Sequence, residues 1–251
     1  MTSTGEGFRA RLARPLIGTF LKTPAYQSVE ILALAELDCI IIDAEHAPFS
    51  AGDLDRLILA ARAGRMPVLV RVPSPEPGLV NACLDMGATG IVVPHVRTAA
   101  DAAAAVAAAT YAGHRGFSPS TRAGAYGTLG AAPYLAGVDD TVSVWCQIED
   151  VEALDHLDAI AAVTGVDCLF VGRADLALSL GIKDGSDPRM ADAVRAVGRA
   201  CRTAGKAAGI FVPGTAEIPD RRAEGYTAFI CGSDQSWLLE QARSKRAALD
   251  G

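Results

Sequence analysis

Residues 39–72, CIIIDAEHAPFSAGDLDRLILAARAGRMPVLVRV, contain one complete strand–helix–strand unit. Two apolar runs, Cys39–Asp43 and Val68–Val72, flank a stretch with helical spacing, Leu54–Ala63. Both runs are almost continuously apolar, which is typical of parallel strands that are covered by helices on both faces. The unit therefore predicts a parallel βαβ crossover.

The same unit recurs along the whole chain. Eight strand-like runs alternate with helical stretches, and no linker or shift in composition divides them. This alternation predicts the α/β class and a single domain over residues 1–251, a closed (β/α)₈ TIM barrel, with a doubly wound open sheet as the alternative. The predicted strands are Leu16–Leu21, Cys39–Asp43, Val68–Val72, Ile91–Pro94, Val142–Ile148, Cys168–Gly172, Ala207–Val212 and Ala228–Cys231, and the predicted helices include Val29–Leu37, Leu54–Ala63, Pro77–Met86, Ala99–Thr110, Val151–Val163 and Met190–Ala204.

The length and composition fit a single globular domain and argue against several other classes of protein. A chain of 251 residues has the length of one (β/α)₈ barrel, and 50% hydrophobic residues provide a core that disordered chains lack. A formal net charge of −6 argues against binding to nucleic acid. No apolar run is long enough to predict a membrane span. The six cysteines lack CxxC spacing, which predicts reduced structural thiols in a cytoplasmic protein.

Two segments fall outside the strand–helix alternation. Residues Glu6–Leu12 precede the first strand and could form an extra helix that closes the bottom of the barrel. The segment from Tyr111 to Asp140 (residues 111–140) is rich in glycine, proline, serine and aromatic residues. Loops of this length in compact domains are usually functional or disordered, and the arginines and tyrosines of this one, such as Arg115 and Tyr126, favour a binding loop.

Charged and polar residues collect at the carboxyl ends of the predicted strands, where (β/α)₈ barrels place their active sites. The second strand ends in Asp43-Ala44-Glu45-His46, the third in Arg71, and the fifth in Gln147-Ile148-Glu149. The sixth ends in Gly172-Arg173-Ala174-Asp175 and the seventh in Phe211-Val212-Pro213. The opposite ends carry few polar residues, and this asymmetry predicts an enzyme.

Glu149 and Asp175 come at or just after the ends of neighbouring strands, so their carboxylates should converge. A divalent cation would relieve their repulsion, and carboxylate oxygens suit Mg²⁺, Mn²⁺ or Co²⁺. Two protein ligands would leave positions for water or substrate, which is typical of a catalytic metal site. The alternative is that these carboxylates cap the helices that follow, with Asp150 or Glu149 before one helix and Asp175 before the other.

Other residues at the same ends suit proton transfer and charge stabilisation. His46 could be a general base that Asp43, three residues earlier, orients, and the alternative is a surface histidine. Arg71 could stabilise a developing oxyanion or hold a carboxylate, and the alternative is an ion pair with a barrel carboxylate. Gln147 lies two residues before Glu149, so both should face the same side of their strand.

Three further features at these ends are weaker. The helix start Gly172–Asp175 offers free backbone N–H groups that could bind a substrate carboxylate. His95 follows the fourth strand and is a minor candidate for the site. Of the four lysines, only Lys22 follows a strand on this side of the barrel, so a Schiff-base mechanism is disfavoured.

Five short motifs occur in a fixed order between about Gly18 and Gly232. They are Ile42-Asp43-Ala44-Glu45-His46, Val70-Arg71-Val72-Pro73, Leu84-Asp85-Met86-Gly87-Ala88, Gln147-Ile148-Glu149 and Asp175-Leu176-Ala177-Leu178-Ser179-Leu180-Gly181. In this combination the chain resembles the HpcH/HpaI aldolase family, the metal-dependent (class II) pyruvate aldolases that include 2,4-dihydroxyhept-2-ene-1,7-dioate aldolase. The resemblance implies a (β/α)₈ barrel of the phosphoenolpyruvate/pyruvate type.

The resemblance also implies a role for each site residue. Glu149 and Asp175 would hold the divalent metal, to which a 2-oxoacid, pyruvate or hydroxypyruvate, would bind through its keto and carboxylate oxygens. Arg71 would stabilise the enolate, and His46, paired with Asp43 and acting through water, would move protons. The enolate would add to an aldehyde to give a 4-hydroxy-2-oxoacid, and cleavage would reverse this path. The remaining substrate-binding positions would be Gln147, Gly172, Ala174, Asp175, Phe211 and Pro213.

The resemblance further implies a homohexamer, a trimer of dimers. Its subunits would exchange the C-terminal helix 234–249. Two positions depart from the family pattern. Arg173 stands where the family usually has proline, and the added cation would favour a more anionic substrate. The loop begins Tyr111-Ala112-Gly113 instead of Tyr-Pro-Pro, in the segment where contacts with the aldehyde are expected.

Two other functions are compatible with the predicted barrel. A citrate-lyase-like enzyme would act on CoA esters with the same metal carboxylates, but the sequence shows no large basic patch for the CoA phosphates. A non-catalytic binding or assembly protein would not need polar residues crowded at one end of the barrel. The sequence therefore favours a carbon–carbon lyase acting on a small 2-oxoacid and an aldehyde.

Overall fold

The computed structural model describes residues 7–184 and 187–249, and the eight strands in them form one closed parallel barrel. Each strand pairs with the next in the chain, and the eighth pairs with the first. The closed order confirms the predicted (β/α)₈ barrel and excludes the open sheet. The strands are β1 (Leu16–Leu21), β2 (Cys39–Asp43), β3 (Val68–Arg71), β4 (Gly90–Val93), β5 (Ser143–Ile148), β6 (Cys168–Val171), β7 (Ala207–Val212) and β8 (Ala228–Ser233).

Helices connect the strands around the outside of the barrel. The second helix ends three residues before the predicted Leu37, and Glu36 then takes a positive φ of 58°. The predicted helix Val151–Val163 is divided into a 3₁₀ turn, Val151–His156, and a short α-helix. The helices are α1 (Phe8–Arg11), α2 (Tyr26–Leu34), α3 (Ala51–Ala63), α4 (Pro77–Asp85), α5 (Ala99–Ala109), α6 (Ala131–Leu135), α7 (Leu157–Ala161), α8 (Arg173–Ser179), α9 (Pro188–Ala204), α10 (Ile218–Ala223) and α11 (Asp234–Ala247), with a further 3₁₀ turn at Ala125–Gly127.

The short helix α1 closes the bottom of the barrel, as predicted. The ring of Phe8 stacks on Trp145 inside the barrel, with 6.4 Å between ring centroids. Arg9 donates to Asp167, which lies just before β6, at 2.8 Å. The predicted first residue of this helix, Glu6, lies outside the described residues.

The cysteines and the helices can be compared with the sequence predictions of reduced thiols and of no membrane span. All six cysteines are free and buried, which confirms structural thiols, while the cytoplasmic location stays a prediction. No helix within 7–184 and 187–249 is long and apolar enough to cross a membrane.

The long loop 111–140 lies at the amino-terminal end of the strands. It follows a helix and leads into β5, so both of its ends are at the end of the barrel opposite the carboxyl ends of the strands. Arg122 donates to the carbonyl of Met86 at 2.9 Å, and Ala123 donates to the carbonyl of Asp85 at 3.1 Å, both at the end of α4. The loop also covers a separate cavity of about 480 Å³. The prediction that it contacts the acceptor is therefore wrong for the cavity of its own chain.

Candidate active site

Alternation along each strand decides which polar side chains enter the barrel. Ile41 packs inside the barrel, so Asp43, two residues on in β2, also faces inward. In β5, Trp145 packs inside, and the same spacing brings Gln147 and Glu149 to the interior face. All three polar residues are buried, with Asp43 at 0% exposure, although such side chains are normally found at the surface.

A cavity of about 250 Å³ opens at the carboxyl ends of the strands. One wall is aromatic, with the Phe20 ring 6.2 Å from that of Phe170 and 6.1 Å from that of Phe211, measured between centroids. Most of the predicted site residues line this cavity. Those that line the cavity are His46, Arg71, Gln147, Gly172, Ala174, Asp175 and Phe211.

The buried carboxylate of Asp43 holds two cations. Arg71 donates to it with Nε at 2.9 Å and Nη2 at 2.7 Å, and the Nζ atom of Lys22 lies 3.0 Å away. Burial alone would raise the pKa of Asp43, but the hydrogen bonds and charges of Arg71 and Lys22 outweigh it and hold the pKa below its usual value. Asp43 thus stays ionised and fixes the guanidinium at the cavity wall, which is the ion pair considered above as the alternative for Arg71.

The expected pairing of Asp43 with the imidazole of His46 needs correction. The carboxylate accepts from the backbone N–H of His46 at 3.2 Å, and its other partners are Arg71 and Lys22. The imidazole instead lies next to Glu45, with 3.6 Å between Nε2 and Oε2, and its side chain is 52% exposed. The reason is the strand register, since Asp43 lies directly opposite Arg71 in the β2–β3 pair.

Glu45 connects His46 to Arg71. Its Oε2 atom lies 3.3 Å from Nε of Arg71, and this oxygen is buried without a hydrogen-bond partner of standard geometry. Burial raises the pKa of Glu45, the negative charge of Glu149 adds to the rise, and the charges of Arg71 and His46 oppose it. The protonated form of this carboxyl group is therefore more favoured than that of an exposed glutamate.

Glu149 is buried and held from two sides. Its Oε1 accepts from the backbone N–H of His95 at 2.9 Å, and its Oε2 accepts from the side-chain amide of Gln147. Gly172 lies against the same carboxylate, because a Cβ atom there would come within 2.7 Å of Oε2. The contact between Gln147 and Glu149 agrees with their predicted common face.

The carboxylate of Asp175 belongs to the turn that begins at Gly172. It lies in the first turn of α8 and lines the cavity, and this helix has no side-chain cap. Asp150 makes no capping bond either, so the capping alternative does not describe these carboxylates. Gly172, where this turn begins, abuts the carboxylate of Glu149, and Asp175, three residues later, lines the cavity.

The donor set at this place fits an open site for a hard divalent cation. The described residues contain no group of three histidine, cysteine, aspartate or glutamate side chains that could enclose a metal. Mg²⁺ is usually bound by one or two carboxylates, with water or substrate at its other positions. The two carboxylates fit this pattern, and the buried Oε1 of Gln147, which lacks a partner in the structure, is a further oxygen beside Glu149.

His95 supports Glu149 from outside the cavity. Its backbone takes a positive φ of 55°, and its Nδ1 lies 3.0 Å from Asp150 and 3.4 Å from Glu149. Partial burial would lower the pKa of His95, but the neighbouring Asp150 and Glu149 outweigh it and raise the pKa. His95 therefore counts as a neighbour of the site.

Two expectations around β6 and β7 need correction. Arg173 lines the cavity, but its guanidinium is bound by Glu217 at 2.7 and 2.8 Å, so its charge is not free to attract an anionic substrate. Phe211 lines the cavity, whereas Pro213 is exposed on the loop beyond it and is not among the lining residues.

Three contributors to the site were not assigned a role from the sequence. Glu45 lies in the motif around Asp43, and alternation along β2 would have been the signal that it shares the inward face. Lys22 was considered only as a nucleophile, although a cation at a strand end is equally suited to bind a buried carboxylate. Phe20 supports Arg71 from below, with the guanidinium carbon 4.7 Å from its ring centroid, and was hidden among the apolar residues of β1.

Comparisons with known proteins agree with this geometry. Residues 16–240 match the family described as HpcH/HpaI aldolase/citrate lyase. A hydroxypyruvate/pyruvate aldolase of Paraburkholderia phytofirmans is 36% identical over 94% of this chain and 93% of its own length. A 5-keto-4-deoxy-D-glucarate aldolase of Shigella boydii is 36% identical over 82% of this chain and 81% of its own length. The crystal structure of an HpcH/HpaI aldolase/citrate lyase family protein from Burkholderia cenocepacia superposes with a TM-score of 0.91 and 37% identity, covering 97% of this chain and 98% of that one.

Proposed function

The chain belongs to the HpcH/HpaI aldolase/citrate lyase family, and we propose that it is a divalent-metal-dependent aldolase that makes and cleaves 4-hydroxy-2-oxoacids. Its assignment as a carbon–carbon lyase of the pyruvate-aldolase type follows from the aldolases it resembles over most of its length. The donor would be pyruvate or hydroxypyruvate, and the acceptor an aldehyde.

One observation carries the site-level proposal. The buried carboxylate of Glu149 lies against Gly172, at the start of the turn that bears Asp175, and Arg71 lines the same cavity. Asp175 and Arg71 thus border a space of about 250 Å³, and the carboxylate of Glu149 is buried directly against Gly172 in the wall of that space. This combination suits a reaction in which negative charge develops on a substrate oxygen.

Glu149 and Asp175 would hold the divalent cation, with Mg²⁺, Mn²⁺ and Co²⁺ as the candidates. When bound, the cation would supply Lewis-acid stabilisation of negative charge on the oxygens of the 2-oxoacid. Gln147 would keep Glu149 in place, since its amide already donates to that carboxylate. Backbone amides near Ala174 and Asp175 would bind the donor carboxylate.

Arg71 would stabilise the enolate. Its Nε and Nη2 atoms bind Asp43, and Nε also lies 3.3 Å from Glu45. The side chain lines the cavity, where the N–H groups of Nη1 would donate to the substrate. Because Asp43 fixes the guanidinium in advance, little reorganisation accompanies the growth of charge on the keto oxygen. Proton removal from the carbon beside the ketone, and proton return to it in cleavage, would fall to His46 acting through water, with Glu45 as its neighbour for proton exchange.

The role of His46 gives a test by substitution. Replacing it with asparagine (H46N) should lower kcat by about 10² to 10⁴, the usual contribution of general acid–base catalysis. Metal affinity should stay unchanged, because the imidazole contacts neither carboxylate proposed as a metal ligand. Steady-state kinetics and calorimetric Mn²⁺ titration check both outcomes.

The matched control is His156→Asn, at an exposed histidine on the outside of the barrel. Its kcat should stay within about twofold of wild type, as for most surface substitutions. Full activity of H46N would remove His46 from the proton path.

The alternatives are less well supported. A Schiff-base aldolase needs a neutral lysine, and Lys22, the lysine that lines the cavity, is held against the buried carboxylate of Asp43 at 3.0 Å. A citrate-lyase-like enzyme would need cations for the phosphates of CoA. Arg173, at the rim of the cavity, is already bound by Glu217.

The C-terminal helix supports the proposed homohexamer. No residue of α11 is buried in the single chain. Even its leucines are exposed, Leu238 to 74% and Leu239 to 51%. Exposed leucines side by side on one helix are typical of a surface that a partner covers. Exchange of this helix between subunits, in a trimer of dimers, would bury them.

The donor, the acceptor and the metal can be identified in one screen. Metal-stripped enzyme would be reloaded with Mg²⁺, Mn²⁺ or Co²⁺ and offered pyruvate or hydroxypyruvate together with a panel of aldehydes. The proposal requires a 4-hydroxy-2-oxoacid product with at least one metal and one pair of substrates. Saturation by a CoA ester, with no turnover of free 2-oxoacids, would favour the citrate-lyase-like alternative instead.

A further inference from the structure

We propose that Arg173 is a positioning residue, whose ion pair with Glu217 holds the turn bearing Asp175 and thereby sets how tightly the 2-oxoacid donor binds. The inference rests on the proposed function, because it assigns the donor and the metal to the side of the cavity formed by this turn. Arg173 itself is given no contact with substrate.

The guanidinium of Arg173 joins two loops at the rim of the cavity. Nη1 donates to Oε2 of Glu217 at 2.8 Å, and Nη2 donates to Oε1 at 2.7 Å and to the carbonyl of Phe211 at 3.0 Å. Arg173 begins α8, just after β6, whereas Phe211 is near the end of β7 and Glu217 immediately precedes α10. The clamp, meaning Arg173 with Glu217 and the Phe211 carbonyl, therefore ties the β6–α8 turn to the β7–α10 loop.

This contact is stronger than an ordinary surface ion pair. Its two parallel N–H···O bonds have the geometry in which arginine binds carboxylates best. The side chains are only 25% and 27% exposed, so water screens the pair less than it would at an open surface. Glu217 lies 3.9 Å from Nε of Arg221, a much looser contact, so Arg173 is its main partner.

The β6–α8 turn lacks the constraints that α4 and α9 have at their starts. Pro77 and Pro188 occupy the first positions of α4 and α9, and a proline ring fixes φ there at the value a helix requires. In α8 that position is Arg173, and the preceding Gly172 makes no side-chain cap and is the most flexible residue type. Asp175 lies in this turn and has to be held in place to bind a metal. In the proposed arrangement the side chain of Arg173 supplies that constraint through Glu217, which lies outside the helix.

Steady-state kinetics of the metal-loaded enzyme test the clamp. Arg173→Ala and Glu217→Gln should each raise KM for the donor about tenfold while kcat changes by less than about threefold, because the turn is loosened but the reacting groups remain. The double variant should show no further rise. Arg173→Pro should recover most of the loss, and in that background Glu217→Gln should have no effect, because the proline ring replaces the clamp.

Glu224→Gln is the matched control, since Glu224 is a nearby carboxylate that pairs with Arg221 at 2.6 Å. The donor KM of this variant should equal that of wild type. An unchanged KM in R173A would overturn the proposal. So would a failure of R173P to recover binding, which would mean that the guanidinium itself contacts the donor.

Hydrogen–deuterium exchange of the unliganded chain, read by mass spectrometry, gives a test independent of catalysis. R173A should raise exchange in both segments, 173–176 and 213–217, whereas R173P should raise it only in the second. Unchanged exchange in R173A would contradict the clamp even if the enzyme proves to be an aldolase. If the wild type neither binds metal nor turns over 2-oxoacids, the proposed function fails, while the exchange result still decides whether the clamp exists.

Discussion

Replacing Arg71 with lysine (R71K) is expected to lower kcat/KM for the release of pyruvate by about 10² to 10³, the usual loss when a preorganised donor to an oxyanion is removed. Lysine keeps the positive charge but has a single donor nitrogen. The guanidinium of Arg71 has three nitrogens, two of which bind Asp43. The two bonds to Asp43, at 2.9 and 2.7 Å, fix the plane of the guanidinium, and an ammonium group cannot reproduce that geometry. The loss should therefore appear mainly in kcat.

Lysine is more informative here than a neutral residue. Asp43 is fully buried, and removing its main partner would leave a poorly compensated charge, which costs about 3–5 kcal/mol of stability. A drop in activity would then reflect unfolding as well as chemistry. The matched control is Arg97→Lys, at a half-exposed arginine beside Asp150 that does not line the cavity, and its activity should stay within about twofold of wild type. Wild-type kinetics in R71K would remove Arg71 from the chemical step.

Replacing Glu149 with glutamine (E149Q) is expected to abolish metal binding and to lower kcat about 10³-fold. Glutamine has the same shape and can still accept the backbone N–H of His95, so the fold around it should survive. It lacks the negative charge that attracts a divalent cation. A Lewis acid contributes several kcal/mol to the stabilisation of an enolate, which corresponds to about 10³-fold in kcat. Calorimetric titration with Mn²⁺ and steady-state kinetics measure the two effects.

The neighbouring residue Asp150 provides the control for Glu149. Its carboxylate faces His95 at 3.0 Å and Arg97 at 3.3 Å, outside the cavity. Asp150→Asn should therefore keep Mn²⁺ affinity within about threefold of wild type, less than the loss seen when a direct support of a metal ligand is removed. Tight Mn²⁺ binding by E149Q would show that the metal site lies elsewhere, and equal losses in both variants would point to a general electrostatic effect of the acidic end.

Much of the barrel could be predicted because each parallel strand is covered on both faces and appears as a short apolar run. β1, β2 and β7 have the predicted bounds, and the other five differ by one or two residues at their ends. The common location of the site residues could also be predicted, because the carboxyl ends of parallel strands meet at one end of a closed barrel.

The wrong predictions concern side chains whose partners lie on distant segments of the chain. The spacing of three residues predicts His46 as the partner of Asp43, but strand register places Asp43 opposite Arg71, and register is not visible in one strand alone. The sequence around Arg173 predicts a free cation, because its partner, Glu217, is 44 residues further along the chain. The position of the loop 111–140 was within reach of the sequence, because a segment between a helix and the next strand must begin and end at the amino-terminal end of the barrel.

In the proposed reaction, Glu149 and Asp175 hold a divalent cation that, together with Arg71, allows a 2-oxoacid to form its enolate in this cavity. Exchange of the methyl protons of pyruvate for deuterium in D₂O, followed by proton NMR without any aldehyde, isolates that step. We predict exchange by the Mg²⁺-loaded enzyme, none after treatment with EDTA, and recovery when Mg²⁺ is returned in excess of the chelator. Undiminished exchange in the presence of EDTA would contradict the account.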